Sequence, residues 1–339
     1  MIQRLKNIYR KLSPKALVLM YHRVTSLHTD PWQLAVEPER FEQQLQVIKQ
    51  MGSVISSDTL VNNLQSKRVK NFSLVVTFDD GYYDNFSNAL PLLEKYAVPA
   101  TFFITTNQLG KASEFWWDAL ENIIIHSPVL PQLFSVFMHG IQINYDLQEE
   151  AVLQPQKKEE MRKWLALAGF QNRRTILYEM LWKGLKPLKH EQQQQVLLYL
   201  KAWAGNNIAD RIENRAMTEN ELSLMANHPL ITIGGHTTTH PDLSCHGTEF
   251  QQQEIITNKK RLEQITGKTV NLFAYPYGGY NNDTPQIVAN SGYKAAFTTS
   301  NQLVRGRSHP YLLSRLQVNN WTGDEFYSIL NRYFQTAFQ

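Results

Sequence analysis

An α/β protein built on a parallel sheet or barrel is what the sequence predicts, from three observations. Short apolar runs such as Ala16 to Met20, Leu74 to Val76, Ala100 to Ile104 and Ile231 to Ile233 alternate with amphipathic stretches of helical period. Several runs stop abruptly on chemistry-bearing residues, most clearly Thr77-Phe78-Asp79-Asp80-Gly81. The alternation then lapses over about 111–215 and resumes after Thr218, which reads as a mostly helical insertion within one domain.

Taken in order, residues 1–12 place Ile2, Leu5, Ile8, Tyr9 and Leu12 on one stripe among Arg4, Lys6, Arg10 and Lys11. Such a basic amphipathic helix suits an anionic bilayer surface or docking on the domain. Ser13-Pro14 ends it, and the domain is expected to run over 16–339. Ala16 to Met20 predicts a buried strand ending on Tyr21-His22-Arg23. Pro38 to Met51 predicts a helix with Phe41, Leu45 and Ile48 on one face and Gly52 as its C-cap. Val54-Ile55 predicts a brief strand, and Asp58 to Leu64 a short helix. The aspartate-bearing strand follows, then a helix over Asn85 to Tyr96 and a strand over Ala100 to Ile104.

Within the insertion, Trp116, Trp117 and Leu120 open a helix. Phe134 to Tyr145 alternates around His139-Gly140 as a hairpin would. Helical patterns run near 157–168, 172–183 and 190–203. Beyond it, Thr218 and Glu221 form a capping-box pattern. Ile231 to Ile233 is a strand, and Glu249 to Thr266 a helix stopped by Gly267. A strand into Phe273, a helix near 283–291 and strands over Ala295 to Thr299 and Leu312 to Val318 precede a last helix, Glu325 to Phe334.

The chain of 339 residues, 42% hydrophobic and 19% charged with a net charge of +4, is an ordinary globular composition. The basic residues are scattered, which argues against nucleic acid as a partner. A lone cysteine, Cys245, excludes an internal disulfide and fits a reducing compartment. It lies near enough to His240 to approach an ion there, although a small packing residue is the plainer reading. No apolar run approaches the about 20 residues of a membrane span. Ala16 to Tyr21 is too short for the apolar region of a signal peptide. A cytoplasmic location is expected, with residues 1–12 offering peripheral contact with the inner face of the membrane.

Two adjacent carboxylates at the end of a buried strand repel each other and resist desolvation, so a positive group is expected beside Asp79 and Asp80. Capping of the next helix is the simpler alternative. His236 and His240 flank three threonines, with glycines before and proline after, so they sit on a loop rather than a helix. Two imidazoles and one carboxylate make a three-ligand cation site that leaves positions open for water and substrate. Loops at one end of a parallel barrel are where such groups gather.

Thr77-Phe78-Asp79-Asp80-Gly81 and His236-Thr-Thr-Thr-His240 resemble the first two motifs of the polysaccharide deacetylases, carbohydrate esterase family 4, also called the NodB homology domain. Tyr275-Pro276-Tyr277-Gly278 resembles the core of the third. The resemblance covers about 16–110 and 218–320. It implies a distorted (β/α) barrel of the NodB type and a hydrolase that removes N-linked acetyl groups from amino sugars with a divalent metal, zinc being the usual ion. By position, Asp80, His236 and His240 would be the ligands and Asp79 the general base. The backbone N–H of Tyr277 would face the oxyanion, and Tyr275, Pro276 and Trp321 would contact substrate. Packing is the alternative for Tyr275, Tyr277 and Trp321, and for Trp116 and Trp117 as sugar platforms.

Two departures from the family pattern matter. Ala274 stands where an arginine contacting the base is common, and Arg315 on the Leu312 to Val318 strand is the candidate replacement. No Leu-x-His motif occurs near the C-terminus, and His309 before Pro310 fits poorly. The biofilm poly-N-acetylglucosamine deacetylases, with a permuted motif order, have a Tyr-His near the N-terminal strand, which makes His22 the candidate general acid. The expected substrate is an N-acetylated saccharide, glycolipid or lipid-linked precursor. A metal-dependent amidase acting on linear or cyclic amides, and an inactive glycan- or partner-binding relative, are the alternatives. Iron-dependent oxygen chemistry at the two-histidine, one-carboxylate site is disfavoured by Asp79 and the third motif.

Overall fold

The computed structural model describes residues 15–66, 72–169, 172–205 and 208–335. The amphipathic stretch 1–12 lies outside them. The described chain divides into two compact units, the first holding residues 15–26, 34–109 and 217–335 and the second 27–33 and 110–216.

In chain order the first unit opens with strands β1 (Lys15–Tyr21), β2 (Arg23–Val24) and β3 (Ala35–Val36), then helix α1 (Pro38–Met51). Strand β4 (Ser53–Val54), helix α2 (Ser57–Gln65) and strand β5 (Ser73–Phe78) follow. A π turn (Asn85–Ala89) leads into α3 (Leu90–Lys95), and β6 (Ala100–Ile104) ends the first half. The second unit carries α4 (Trp116–Glu121), the strands β7 (Leu133–Met138) and β8 (Ile141–Asp146), and helices α5 (Pro155–Arg162), α6 (Arg173–Leu185) and α7 (His190–Trp203). The first unit resumes with α8 (Glu219–Ala226), β9 (Ile231–Gly235), α9 (Thr248–Thr266), β10 (Leu272–Ala274), α10 (Thr284–Asn290) and β11 (Ala295–Phe297). Strands β12 (Val304–Arg305) and β13 (Leu316–Gln317) and helix α11 (Gly323–Gln335) complete it.

Strands β11, β10, β9, β6, β5 and β1 lie side by side, all parallel, and β13 joins β1 in the same sense. β12 is the antiparallel member, set against the start of β1. The segment entering β13 draws the two ends of the sheet together. Leu313 exchanges backbone hydrogen bonds with Ala296 (2.9 Å) and Thr298 (2.8 Å) beside β11, and Val318 N then donates to Met20 O (3.0 Å) beside β1. This curled parallel sheet is the expected barrel class. The switch of partner also explains why the predicted strand 312–318 is paired as a strand over two residues alone.

Alternation along β1 assigns its faces. Leu17, Leu19 and Tyr21 meet Phe41, Leu45 and Ile48 of α1, whereas Ala16 and Val18 face inward to Val75, Phe103 and Phe297. Beneath the C-terminal strand ends, Tyr21, Phe78 and Phe102 form a stacked row, with centroids 5.2 and 4.6 Å apart, and Phe41 meets Tyr21 edge-on at 5.2 Å. Each such pair contributes about 0.5–1.5 kcal/mol beyond burial. The next residues after two of these rings are His22 and Asp79, so the row anchors, from the helix-facing side, the strand ends from which those residues extend.

Local signals account for most element ends. Thr218 and Glu221 form the reciprocal capping box, with bonds of 2.7 and 3.2 Å. Gly267 closes α9 in the left-handed region at φ 67°. Gly52 is different. Its backbone is extended (φ −172°), and a Cβ there would lie 2.5 Å from the Phe72 carbonyl oxygen, so close approach demands the glycine. The predicted helix 157–168 stops at Arg162, with a separate 3₁₀ turn at Ala166–Ala168. β2, β3 and β12, at two residues each, gave no periodic signal.

The second unit contains helices and one antiparallel hairpin, turned at His139 (φ 52°) and Gly140 (φ 75°) as a two-residue type I′ loop requires. Arg174 is fully buried there and donates to the carbonyls of Ile124, Ser127, Glu150 and Ala151 at 2.6–3.1 Å. Trp116 and Trp117 are also buried, Trp117 stacked on Phe115 at 4.7 Å, so the sugar-platform expectation gives way to packing for both. Residues 27–33 belong to this unit as well, which the expected insertion boundary did not include.

Candidate metal centre and active site

Parallel strands deliver the motif residues to one rim. His22 follows β1, Asp79 and Asp80 follow β5, His236 follows β9 and Tyr275 follows β10. Backbone bonds tie these loops together. Asp79 N donates to Tyr21 O (3.0 Å), Thr105 N to Asp80 O (3.3 Å), and His236 N to Ile104 O (3.2 Å). Four non-glycine residues in these loops have left-handed backbones: Asp80 (φ 72°), Thr237 (φ 62°), His240 (φ 59°) and Tyr277 (φ 57°). Each such conformation costs on the order of 1–3 kcal/mol and persists where surrounding structure enforces it. Gly234 and Gly235 precede the histidines because a Cβ on Gly234 would lie 2.4 Å from Phe103, and one on Gly235 2.3 Å from the Tyr293 hydroxyl.

Asp80, His236 and His240 converge, all buried, with one potential ligand atom from each within 4.8 Å of the others. Asp80 Oδ1 lies 3.2 Å from His240 Nε2 and 3.5 Å from His236 Nε2. That oxygen is buried and has no hydrogen-bond partner among the described residues. A tetrahedral ion with bonds of ~2.1 Å spaces its ligands ~3.4 Å apart, so this donor set fits a zinc-like cation. Supporting contacts fix the rings. His236 Nδ1 lies 2.8 Å from Ala274 O, and Thr237 Oγ1 accepts from His240 N at 3.0 Å. Burial pushes the His240 imidazole down despite the Asp80 carboxylate, favouring the neutral form that binds metal. For Asp80, burial alone would raise the pKa, but His236 and His240 outweigh it and hold the carboxyl well below the usual range.

Asp79 occupies a different environment. Arg315 clamps it in a bidentate pair, Nη1 to Oδ1 at 2.6 Å and Nη2 to Oδ2 at 2.7 Å, with both side chains buried. Arg315 is itself held by Thr298 O (3.1 Å) and Thr77 Oγ1 (3.3 Å). Leu316 pairs with Leu19, so Arg315 rises from inside the barrel rather than from a rim loop. Ala274 is buried among the inward-facing residues and carries no polar side chain to meet Asp79. Burial would raise the Asp79 pKa, but the charges of Arg315 and then His236 overcome it and keep the carboxyl ionised.

The remaining candidates separate. Half-buried His22 has its carbonyl fixed by Asn85 Nδ2 at 2.8 Å. Burial pushes its imidazole down, against the pull of the Asp80 and Asp79 carboxylates. The Tyr277 ring meets His240 edge-on at 4.5 Å. Pro276 is buried. Trp321 sits half-buried after β13, stacked near Phe326 at 6.3 Å, with its carbonyl accepting from Gln44 Nε2 at 2.9 Å. Tyr275 corrects the substrate-contact expectation. It is fully buried, its ring against Phe273 at 5.3 Å and its hydroxyl donating to Tyr311 O at 2.9 Å, so it packs the third motif in place. Cys245 is exposed and outside the ligand cluster, neither a packing residue nor a ligand there. Glu254 and Asn258, which hold the histidine loop, were invisible as site residues because the sequence marked them merely as positions on a helix.

A curled parallel barrel with three converging donors that could hold a cation and a clamped second carboxylate at its rim defines the class. The polysaccharide deacetylase family profile matches residues 66–132 and 178–296, more than half of the chain, and the protein belongs to that family. A Bacillus subtilis (strain 168) protein assigned as a polysaccharide deacetylase, YxkH, is 27% identical over 114 residues. That match covers 33% of this chain and 39% of YxkH, so it spans well under two thirds of the relative's length. Among solved structures, the Streptococcus pyogenes deacetylase PplD, in complex with acetate, aligns with a TM-score of 0.58 at 18% identity. The alignment covers 95% of this chain and 99% of PplD. IcaB from Ammonifex degensii aligns with a TM-score of 0.58 at 17% identity, over 95% and 97%. At these identities the structural likeness establishes the fold. Among the described residues, no helix is long and apolar enough to cross a membrane.

Proposed function

We propose that the protein is a metal-dependent N-deacetylase that removes acetyl groups from an amino sugar in a glycan, glycolipid or lipid-linked saccharide. The observation that carries this reading is the division of the carboxylate pair: Asp80 points one orphan oxygen at two imidazoles, whereas Asp79 is held ionised by Arg315. In this reading residues 16–339 form one catalytic domain with 111–215 inserted, and the basic stripe of residues 1–12 serves docking on the domain or peripheral contact with the inner face of the membrane.

Asp80, His236 and His240 would hold the ion, with zinc the expected species. When bound, it would supply Lewis acidity and lower the pKa of a water from ~15.7 toward ~7. Asp79, ionised and buried, accepts the proton of the attacking water. The Tyr277 backbone N–H is the proposed donor to the tetrahedral oxyanion, with the left-handed Tyr277 conformation setting its direction. His22, on the loop after β1, donates a proton to the leaving amine. Pro276 and Trp321 are the proposed substrate contacts.

Metal analysis of the purified protein, with acetate release measured on N-acetylated oligosaccharides and glycolipids, tests the proposal. Stoichiometric metal with acetate release supports it, and loss of turnover on chelation with recovery on zinc addition is expected. Metal bound without acetate release from any acetylated sugar would move the reading to a non-sugar amide. For His22→Ala the expected result is a fall in kcat of about 10²–10⁴-fold with little change in KM. Near-normal turnover would place the acid elsewhere.

A further inference from the structure

We propose that Glu254 and Asn258, one turn apart on α9, are positioning residues that hold the His236–His240 loop in its metal-binding conformation. The inference rests on reading Asp80, His236 and His240 as a metal centre. Both side chains are buried, Asn258 completely. Glu254 Oε2 accepts from the backbone N–H groups of Thr238 (2.9 Å) and Thr239 (2.8 Å), and Oε1 from the Thr239 hydroxyl (2.8 Å). Asn258 Oδ1 accepts from His236 N at 3.2 Å, and its amide donates to Thr237 O (2.6 Å), Ile104 O (2.9 Å) and Thr106 Oγ1 (3.2 Å). Two side chains of one helix therefore engage the backbone of four consecutive residues, 236–239.

The loop needs such a clamp. Thr237 and His240 both have left-handed backbones, a conformation uncommon for any non-glycine residue and most costly for the β-branched Thr237. Relaxing either would rotate one imidazole away from Asp80, and the three ligand atoms would no longer converge. Close approach of α9 is built into the strand beneath as well, since a Cβ on Gly235 would lie 2.7 Å from Asn258 Oδ1. Groups that orient metal ligands without touching the ion typically contribute about 10–100-fold in affinity.

Zinc affinity of the whole protein, measured by competition with a chromophoric chelator alongside the melting temperature of the metal-free form, tests this. Glu254→Met keeps the volume and removes both acceptor oxygens, and with them all three hydrogen bonds to the loop. Its zinc affinity is expected to fall about 10–100-fold, with kcat restored by excess zinc and KM unchanged. Glu254→Gln is expected to recover much of the affinity, because its amide oxygen still accepts the two backbone N–H groups and the Thr239 hydroxyl can reverse. Asn258→Asp, isosteric but without donors, is expected to weaken zinc as Glu254→Met does, and decides the matter should Glu254→Met not fold. A folded variant of either kind with wild-type zinc affinity would overturn the proposal, even with a lowered melting temperature. Failure of the wild-type protein itself to bind zinc would instead reject the metal reading beneath it.

Discussion

Asp79→Asn is expected to keep its metal and lose turnover, whereas Asp80→Asn is expected to lose the metal itself. The two carboxylates are neighbours in sequence but have different partners. Asp80 Oδ1 stands 3.2 and 3.5 Å from the two imidazole Nε2 atoms, inside the spacing of a shared ion. The nearest imidazole approach of Asp79 is 4.0 Å, and both of its oxygens are engaged by Arg315. A neutral amide at 80 would contribute a weak oxygen ligand without charge, and the two histidines alone make a poor site. A neutral amide at 79 would leave the three ligands in place and remove the proton acceptor, a loss of about 10²–10⁴-fold in kcat. Metal stoichiometry and acetate release on both variants check the division. Equal metal loss in the two would undo it.

The legible part of this site was the part written in contiguous residues. Asp79-Asp80 and the His-x-x-x-His loop each carry their chemistry within five positions, and the strand–helix alternation placed both at strand ends. Arg315 was harder, because its partner lies 236 positions away in sequence. It came into view through the gap at Ala274 and through its place on a predicted strand. That strand proved two residues long, since a segment that hands over from β11 to β1 cannot run a continuous ladder with either. Tyr275 shows the opposite failure. Its place in the third motif suggested substrate, but just past β10 its ring packs into the core against Phe273, which a motif match does not reveal. Glu254 and Asn258 were unreadable for a third reason: a helix period reports burial, and their function depends on which loop passes over that helix.

Replacing Arg315 should move the pH dependence more than any other change outside the ligand set. Arg315→Met retains a buried, unbranched side chain and leaves Asp79 without its counter-charge. Burial already favours the protonated carboxyl, and the guanidinium is the main opposing influence. Removing an opposite charge at this range raises a carboxyl pKa by about 1–3 units. A general base must be ionised, so the acid limb of the kcat/KM profile is expected to shift to higher pH by a comparable amount. The sign for stability follows the same shift. A carboxyl depressed in the folded state stabilises above its unfolded pKa of ~3.9 and loses that contribution as pH falls toward the folded value. Arg315→Met should therefore melt lower than wild type at neutral pH and show a smaller further loss below about pH 4. Breaking one side of a buried pair costs about 3–5 kcal/mol, so the comparison should be made at a temperature where the variant stays folded. Arg315→Lys restores the charge without the two-pronged geometry and should fall between the two in both measurements. A variant that melts lower yet keeps the wild-type acid limb would make Arg315 a brace for the barrel alone, with Asp79 held ionised by the imidazoles and the metal.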